Sequence, residues 1–175
     1  MKVYHSSNKD DWETPPALFD QLNKEFKFTL DVAARADNAK CKKFFSPADD
    51  ALKKTWRGNC FLNPPFSLAA AFVKKAHEEA LAGRATTVAL LAARTDTKWF
   101  HQWVYRSGAE IRFLKGRVKF VGARSAAPFP SMIVIWRKRG RLQRSGRRLA
   151  RLGVLALAWA WAWTLPYPAA RFKPF

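Results

Sequence analysis

Asn59-Cys60-Phe61-Leu62-Asn63-Pro64-Pro65-Phe66 is a short apolar run that ends at a polar residue and two prolines. Consecutive prolines bring no amide hydrogens to a ladder, so a strand entering this stretch stops at Asn63. Downstream, the chain from Ser67 to Ala82 reads as a helix with Ala69, Phe72, Val73, Ala76 and Ala80 on one apolar face, and Gly83 ends it. Thr86-Thr87-Val88-Ala89-Leu90-Leu91 follows as a continuous rather than alternating apolar run, the pattern of a strand covered on both faces. Strand, turn, helix and strand in this order build an open α/β sheet with helices on both faces. In such sheets ligands lie beyond the carboxyl ends of the strands, which is where Asn63 falls.

The alternation extends in both directions. Residues 1–13 read as a polar arm, and Thr14-Pro15-Pro16 opens a helix with Thr14 as N-cap and Pro15 in its first position. Leu18, Leu22 and Phe26 give that helix a buried stripe. Phe28 to Val32 reads as a strand with Asp31 near its carboxyl end. Lys43-Phe44-Phe45 reads as another, followed by a Ser46-Pro47 turn and the acidic pair Asp49-Asp50. Beyond Leu91, Thr95 or Asp96 caps a helix carrying Trp99, Phe100, Trp103 and Val104. Glu110 to Leu114 and Ser131 to Trp136 complete the sheet, with a shorter strand near Val118-Lys119-Phe120. The expectation is one α/β domain over residues 1–136 and an extension over 137–175.

Charge separates the two ends of the chain. The 175 residues carry a formal charge of +19, yet all 13 acids lie at or before Glu110. Residues 111–175 hold 15 Lys or Arg and no acid. Such a field draws polyanions, with nucleic acid the first candidate partner, an anionic membrane surface the second, and a solvated basic tail the bland account. The uncharged run before Pro166, residues 152–165, is shorter than the roughly 20 residues of a bilayer-spanning helix. Its larger side chains (Leu155, Leu157, Trp159, Trp161, Trp163 and Leu165) sit two apart, which reads as a strand with one bulky face, an added edge or a self-association surface. Cys41 and Cys60 form no paired framework, and His5, His77 and His101 are scattered, so reduced thiols, a cytosolic setting and no metal site are expected. The polar segment Met1-Lys2-Val3-Tyr4-His5 does not read as a signal peptide.

Asn-Pro-Pro-Phe at a strand end suits one chemistry well. The exocyclic amine of adenine is a poor nucleophile because its lone pair is delocalised into the ring. An asparagine carbonyl and a proline backbone carbonyl that accept its hydrogens favour the nucleophilic nitrogen, and the prolines hold those acceptors in place. An aromatic ring just beyond stacks on a base that has left its helix. Asn63, Pro64, Pro65 and Phe66 fit these roles, although the same four residues also make a generic strand terminator.

Further blocks narrow the choice. Trp12-Glu13-Thr14-Pro15, Phe28-Thr29-Leu30-Asp31-Val32-Ala33-Ala34, Asn38-Ala39-Lys40-Cys41, Asp50-Ala51-Leu52 with Trp56, and Asn63-Pro64-Pro65-Phe66 succeed one another in order. Leu91 to Phe100, Phe113-Leu114-Lys115-Gly116-Arg117 and Pro128-Phe129-Pro130-Ser131-Met132 follow. Over residues 8–136 the chain resembles the small phage and prophage DNA adenine-N6 methyltransferases, Dam-like members of the Rossmann-like S-adenosylmethionine-dependent class. The resemblance implies a Rossmann-like methyltransferase sheet, S-adenosylmethionine as cofactor and double-stranded DNA as partner. It places Trp12, Thr14, Pro15, Asp31, Ala33 and Asp50 at the cofactor, with Asp31 near the methionine ammonium and Asp50 near the adenosine. Arg94, Lys98, Lys115 and Arg117, beyond strand ends, are the expected phosphate contacts. The chain departs from the family pattern twice. Val32-Ala33-Ala34 stands where a glycine-rich loop is usual, and Phe66 where tyrosine is commoner. Cytosine-N4 methylation, methylation of RNA or a protein amide, and an inactive basic nucleic-acid-binding protein are the alternatives.

Overall fold

The computed structural model describes residue 10, residues 12–140, and the backbone of residues 171–172. Helix α1 spans Pro16–Phe26, β1 Leu30–Asp31, β2 Gly58–Leu62, α2 Ala69–Leu81, β3 Ala85–Ala92 and α3 Lys98–Phe100. β4 follows at Glu110–Phe113, β5 at Ser131–Trp136 and β6 at Arg171–Phe172. Single 3₁₀ turns form at Pro47–Asp49 and Phe66–Leu68, and α3 runs on into a π-helical turn, His101–Tyr105.

Among the described residues the strands form one sheet in the order β1-β2-β3-β5-β4-β6. β1, β2 and β3 are parallel, β5 runs antiparallel between β3 and β4, and β6 lies parallel to β4. β5 is thus the one reversed strand. Its first residues therefore meet the carboxyl ends of β3 and β4, as the pairs Ala92–Ser131 and Phe113–Met132 record. One edge of the sheet consequently collects Asp31, Asn63, Arg94, Lys115 and the Pro128-Phe129-Pro130 turn.

Successive strand residues feed opposite layers. Cys60, Leu62, Ala89, Leu91, Met132 and Val134 pack with Phe72, Val73, Ala76 and Ala80 of α2. Phe61, Val88, Leu90, Ile133 and Ile135 pack with Phe19, Leu22 and Phe26 of α1. Period-two strands between two helical layers thus bury both faces, which is the arrangement expected from the uninterrupted apolar runs. Each buried Phe or Leu stabilises the fold by about 2 kcal/mol. Gly58, at φ +81°, opens β2 where a Cβ would come within 2.7 Å of the Thr29 hydroxyl oxygen, so both its conformation and its surroundings favour glycine.

Several local expectations are corrected. Pro15, not Thr14, is the N-cap of α1, and Pro16 takes the first helical position. Phe19 joins Leu22 and Phe26 in the buried stripe, and Leu18 packs partly buried at its margin. Lys43-Phe44-Phe45 forms no strand; it makes a single parallel bridge from Phe44 to Asp31. Val118-Lys119-Phe120 is likewise irregular, closed by a bond from the Ala127 amide to the Val118 carbonyl, with Phe120 buried in the α1 layer. Thr97, not Thr95 or Asp96, caps α3 through its hydroxyl. The alternating run at 153–165 and the basic stretch beyond residue 140 lie outside the described residues. Among the described residues no helix is long and apolar enough to cross a membrane.

The edge opposite the motif is tied by ions. Arg112 donates through both terminal nitrogens to Glu25 at the end of α1, at 2.5 and 2.6 Å, and through Nε to Glu110 at 2.9 Å. Arg137 reaches the other Glu110 oxygen at 2.9 Å, and both guanidinium groups lie over the Phe26 ring. The hydrogen bonds from Arg112 hold the Glu25 carboxyl below the usual range. Burial alone would raise Glu110, but bonds from Arg112 and Arg137 outweigh it and depress that carboxyl as well. Arg112→Met leaves Glu110 buried with one partner, and it is expected to cost about 3 kcal/mol at neutral pH by urea unfolding. Because both carboxyls are depressed in the folded state, their contribution is present above the ordinary glutamate pKa and fades as pH falls through the folded values. The gap between variant and wild type should therefore narrow in acid.

Candidate active site

β2 delivers Asn63 to the carboxyl edge of the sheet, and the prolines then turn the chain across it. Neither Pro64 nor Pro65 has an amide hydrogen, so the segment is held by other means. The Asn63 side-chain Nδ2 donates to the Trp12 carbonyl, the Phe66 amide to the Asp10 carbonyl at 3.1 Å, and the Leu68 amide to the Pro65 carbonyl at 3.0 Å. With Nδ2 engaged by Trp12, Oδ1 is the end of the Asn63 amide left to accept from a ligand.

This turn stands between two pockets. On one side Asn63 and Pro65 line a cavity of about 270 Å³ whose other walls include Trp12, Thr14, Asp31, Ala33, Asp50, Leu68 and Phe72. On the other side Pro64 and Phe66 line a cavity of about 760 Å³ with Asp10, Arg94, Trp99, Arg117 and Phe129. Phe66 and Phe129 meet edge to face, centroids 5.1 Å apart and planes at 88°. Alternate residues of the tetrapeptide thus line different cavities, Asn63 and Pro65 the smaller and Pro64 and Phe66 the larger.

The smaller cavity has a mostly apolar lining with a few polar groups. Asp31 is 3% exposed; its carboxylate accepts from the Ala33 amide at 3.3 Å and the Lys40 amide at 3.0 Å. Burial nevertheless pushes its pKa up, with those two amides only partly offsetting the loss of water. A nearby cation would therefore stabilise the carboxylate. Thr14 is 2% exposed, and its hydroxyl oxygen has no hydrogen-bond partner among the described residues. Glu13 pairs with the Lys40 ammonium at 2.7 Å, and the Glu13 carbonyl accepts from the Val121 amide at 3.0 Å. Trp56, fully buried, donates its indole N–H to the Ala51 carbonyl and stacks on Phe72, bracing the wall from behind.

Trp12, Thr14, Asp31, Ala33 and Asp50 are brought together around this cavity, whereas Pro15 caps α1 and is not part of the lining. The Asp50 carboxylate is engaged by Lys53 at 2.8 Å, on the solvent side. Arg94 and Arg117 line the larger cavity; Lys98 and Lys115 are exposed on the same edge but outside its lining. Asp10, Glu13, Lys40 and Phe129 were not anticipated as site residues. Phe129 lies in a Pro-Phe-Pro turn that was already legible, but Asp10 sits far from the tetrapeptide in sequence with no local pattern to mark it.

A family model described as DNA N-6-adenine-methyltransferase (Dam) matches residues 3–148. The chain belongs to this family. A DNA N-6-adenine-methyltransferase of Haemophilus phage HP1 is 34% identical over 118 residues, 66% of this chain and 68% of that protein. One of Escherichia phage T1 is 36% identical over 110 residues, 61% of this chain but only 45% of that protein. A putative methyltransferase, YfdM, of Escherichia coli K12 is 37% identical over 65 residues, 33% of this chain and 71% of that protein. The matched residues include the strands β1 to β5 and the tetrapeptide at the end of β2.

Cys41 is half-buried and Cys60 buried, and neither is in a disulfide. Burial raises Cys41 to about 11 and Cys60 to about 12, each helped by a nearby carboxylate, so both stay protonated near neutrality. Native protein at pH 8 is expected to react slowly with a disulfide reagent at both thiols and rapidly in urea. Fast labelling of the native fold would contradict this burial.

Proposed function

We propose that this chain transfers the methyl group of S-adenosylmethionine to N6 of an adenine turned out of double-stranded DNA. The observation that carries the reading is the placement of Asn63-Pro64-Pro65-Phe66 as the wall between an apolar, carboxylate-floored pocket and a larger aromatic one. The smaller pocket fits the cofactor by its own chemistry. The buried, desolvated carboxylate of Asp31 suits an ammonium group, and the unpartnered Thr14 hydroxyl suits a polar group beside it. Val32, Leu68 and Phe72 offer apolar surface, and Asp50 suits a ribose hydroxyl. When bound, S-adenosylmethionine supplies an electrophilic methyl group on a sulfonium.

The protein's own part is positional. Phe66 takes the face of the extruded base, offsetting part of the few kcal/mol that flipping costs. Asn63 Oδ1 and the Pro64 carbonyl accept the two amine hydrogens, drawing the nitrogen lone pair out of conjugation and aiming it across the wall. Neither amide oxygen is basic enough to keep the proton released on alkylation, which passes to water. Because Pro64 and Pro65 are rigid, these acceptors need no reorganisation during the reaction. The lost tyrosine hydroxyl leaves the π-face of Phe66 intact. Arg94 and Arg117 at the mouth, with Lys98 and Lys115 beside them, meet phosphates. The same reading treats residues 1–136 as the methyltransferase domain and 137–175 as an extension that returns to the sheet at β6, working on DNA in the cytoplasm.

Incubation of the protein with unmethylated DNA and isotope-labelled S-adenosylmethionine, followed by nucleoside analysis, should yield N6-methyladenine; label in N4-methylcytosine or in no base would sink the reading. Asn63→Ala is expected to lower kcat by about 1,000-fold with DNA affinity largely kept, because the lost acceptor acts in the transition state. Thr14→Val should weaken cofactor binding about tenfold. The same change should leave stability unchanged or raise it by about 1 kcal/mol, since it removes a buried hydroxyl without a partner. Calorimetric titration and thermal unfolding together read those opposite signs.

A further inference from the structure

The prolines that make the motif rigid also deprive it of handles. Between Asn63 and Ser67 only Phe66 brings an amide hydrogen, and the arm before α1 takes it. The Asp10 carbonyl accepts from the Phe66 amide at 3.1 Å. The Asp10 carboxylate accepts from the Ser67 amide at 2.9 Å through one oxygen and from the Ser67 hydroxyl at 2.6 Å through the other. Two residues on, the Trp12 carbonyl receives the Asn63 side-chain amide. The arm therefore grips the motif at both ends: Trp12 holds the acceptor and Asp10 holds the ring. Behind this strap Trp12 packs on Phe120, centroids 5.8 Å apart, and Glu13 is held by Lys40 and Val121.

Asp10 itself lines the larger cavity beside Phe66 and is otherwise exposed. It covers no core, so its three hydrogen bonds do little for global stability. They fix the backbone on which the stacking ring is mounted. The hydrogen bonds from the Ser67 hydroxyl and amide hold its carboxyl below the usual range, so it accepts from Ser67 as a carboxylate near neutrality.

Building on the adenine-methylation reading, we propose that Asp10 is a positioning residue for base capture: acting through Ser67, it sets the placement of Phe66 at the mouth of the larger pocket. The arm thereby aligns the stacking ring with the Asn63 acceptor, and its seating is a precondition for productive transfer. A ring displaced by an ångström presents the amine off line, which is enough to lower the rate without altering the cofactor pocket.

The test compares wild type, Asp10→Ala, Asp10→Asn and Ser67→Ala, all as full chains. Hydrogen exchange read at single-amide resolution is independent of activity: in Asp10→Ala the Ser67 amide should exchange at least about tenfold faster, with amides in β3 unchanged. With a duplex of known target site, Asp10→Ala is expected to lower kcat by about 30-fold while the dissociation constant for S-adenosylmethionine moves less than about threefold. Asp10→Asn, which keeps an acceptor for the Ser67 amide, should recover most of the loss, and Ser67→Ala should lose less than Asp10→Ala. Unchanged exchange at Ser67, an unchanged kcat, or a parallel fall of kcat, cofactor affinity and melting temperature would each overturn the assignment. If wild type transfers no methyl group, the functional reading fails. The assignment of Asp10 then stands or falls on the exchange data and on 2-aminopurine fluorescence at a DNA base, which should change on binding to wild type but not to Asp10→Ala.

Discussion

Two adjacent residues without amide hydrogens, Pro64 and Pro65, stand at the carboxyl end of β2, and the rest of the site is arranged around that lack. A strand that ended in ordinary residues would let its last amides pair with a neighbour or fray into water. Here Pro64 and Pro65 bring no donor as the backbone turns across the sheet edge, and the turn is held from outside. The polar arm supplies the hold, through the Trp12 carbonyl on Asn63 and through Asp10 on Phe66 and Ser67. Rigidity of the turn and its need for an outside hold are thus two results of one covalent feature.

Sheet order turns that local turn into a two-chamber site. Reversal of β5 between β3 and β4 sets the Pro128-Phe129-Pro130 turn against the end of β3, with the Ala93 amide donating to the Pro130 carbonyl at 2.9 Å. Phe129 is thereby brought edge-on to Phe66 across a gap of more than sixty residues. A wholly parallel sheet would have begun β5 at the far edge and left this chamber without its second aromatic wall.

Charge is divided along the same axis. Near the amino ends of the parallel strands, Glu25, Glu79 and Glu110 are matched by Arg84, Arg112 and Arg137. At the opposite edge Arg94, Lys98, Lys115 and Arg117 stand exposed, with Asp96 beside Arg94 at 3.5 Å. Three of the buried or half-buried acids are thus paired within the fold at one edge, while the other edge presents exposed Arg and Lys side chains together with Asp10 and Asp96 around the larger cavity.

Much of this was legible in the chain alone. The strand at 59–62, the helix after it, the strand at 86–91 and the turn at Asn63 follow from periodicity and from proline's missing hydrogen, which act over a few residues and need no context. Asp31 at a strand end was legible for the same reason, and the order of the blocks pointed to the family. Thr14, read both as a cap and as a cofactor residue, is no cap, since Pro15 holds that position; it lies buried in the wall of the smaller cavity. The short strands expected at 43–45 and 118–120 failed because a two-residue β1 offers little to pair with, and because Phe120 is drawn under α1 rather than into a ladder. Asp10 carries no local signature, and Lys40 and Phe129, although they lie in recognisable blocks, take their places at the site from contacts between segments far apart in the chain. Sequence determined the turn and its chemistry, since both reside in consecutive residues. Tertiary structure alone decided what holds that turn and what faces it, because hydrogen bonds and ring contacts across the sheet edge exist only once the strands are in order.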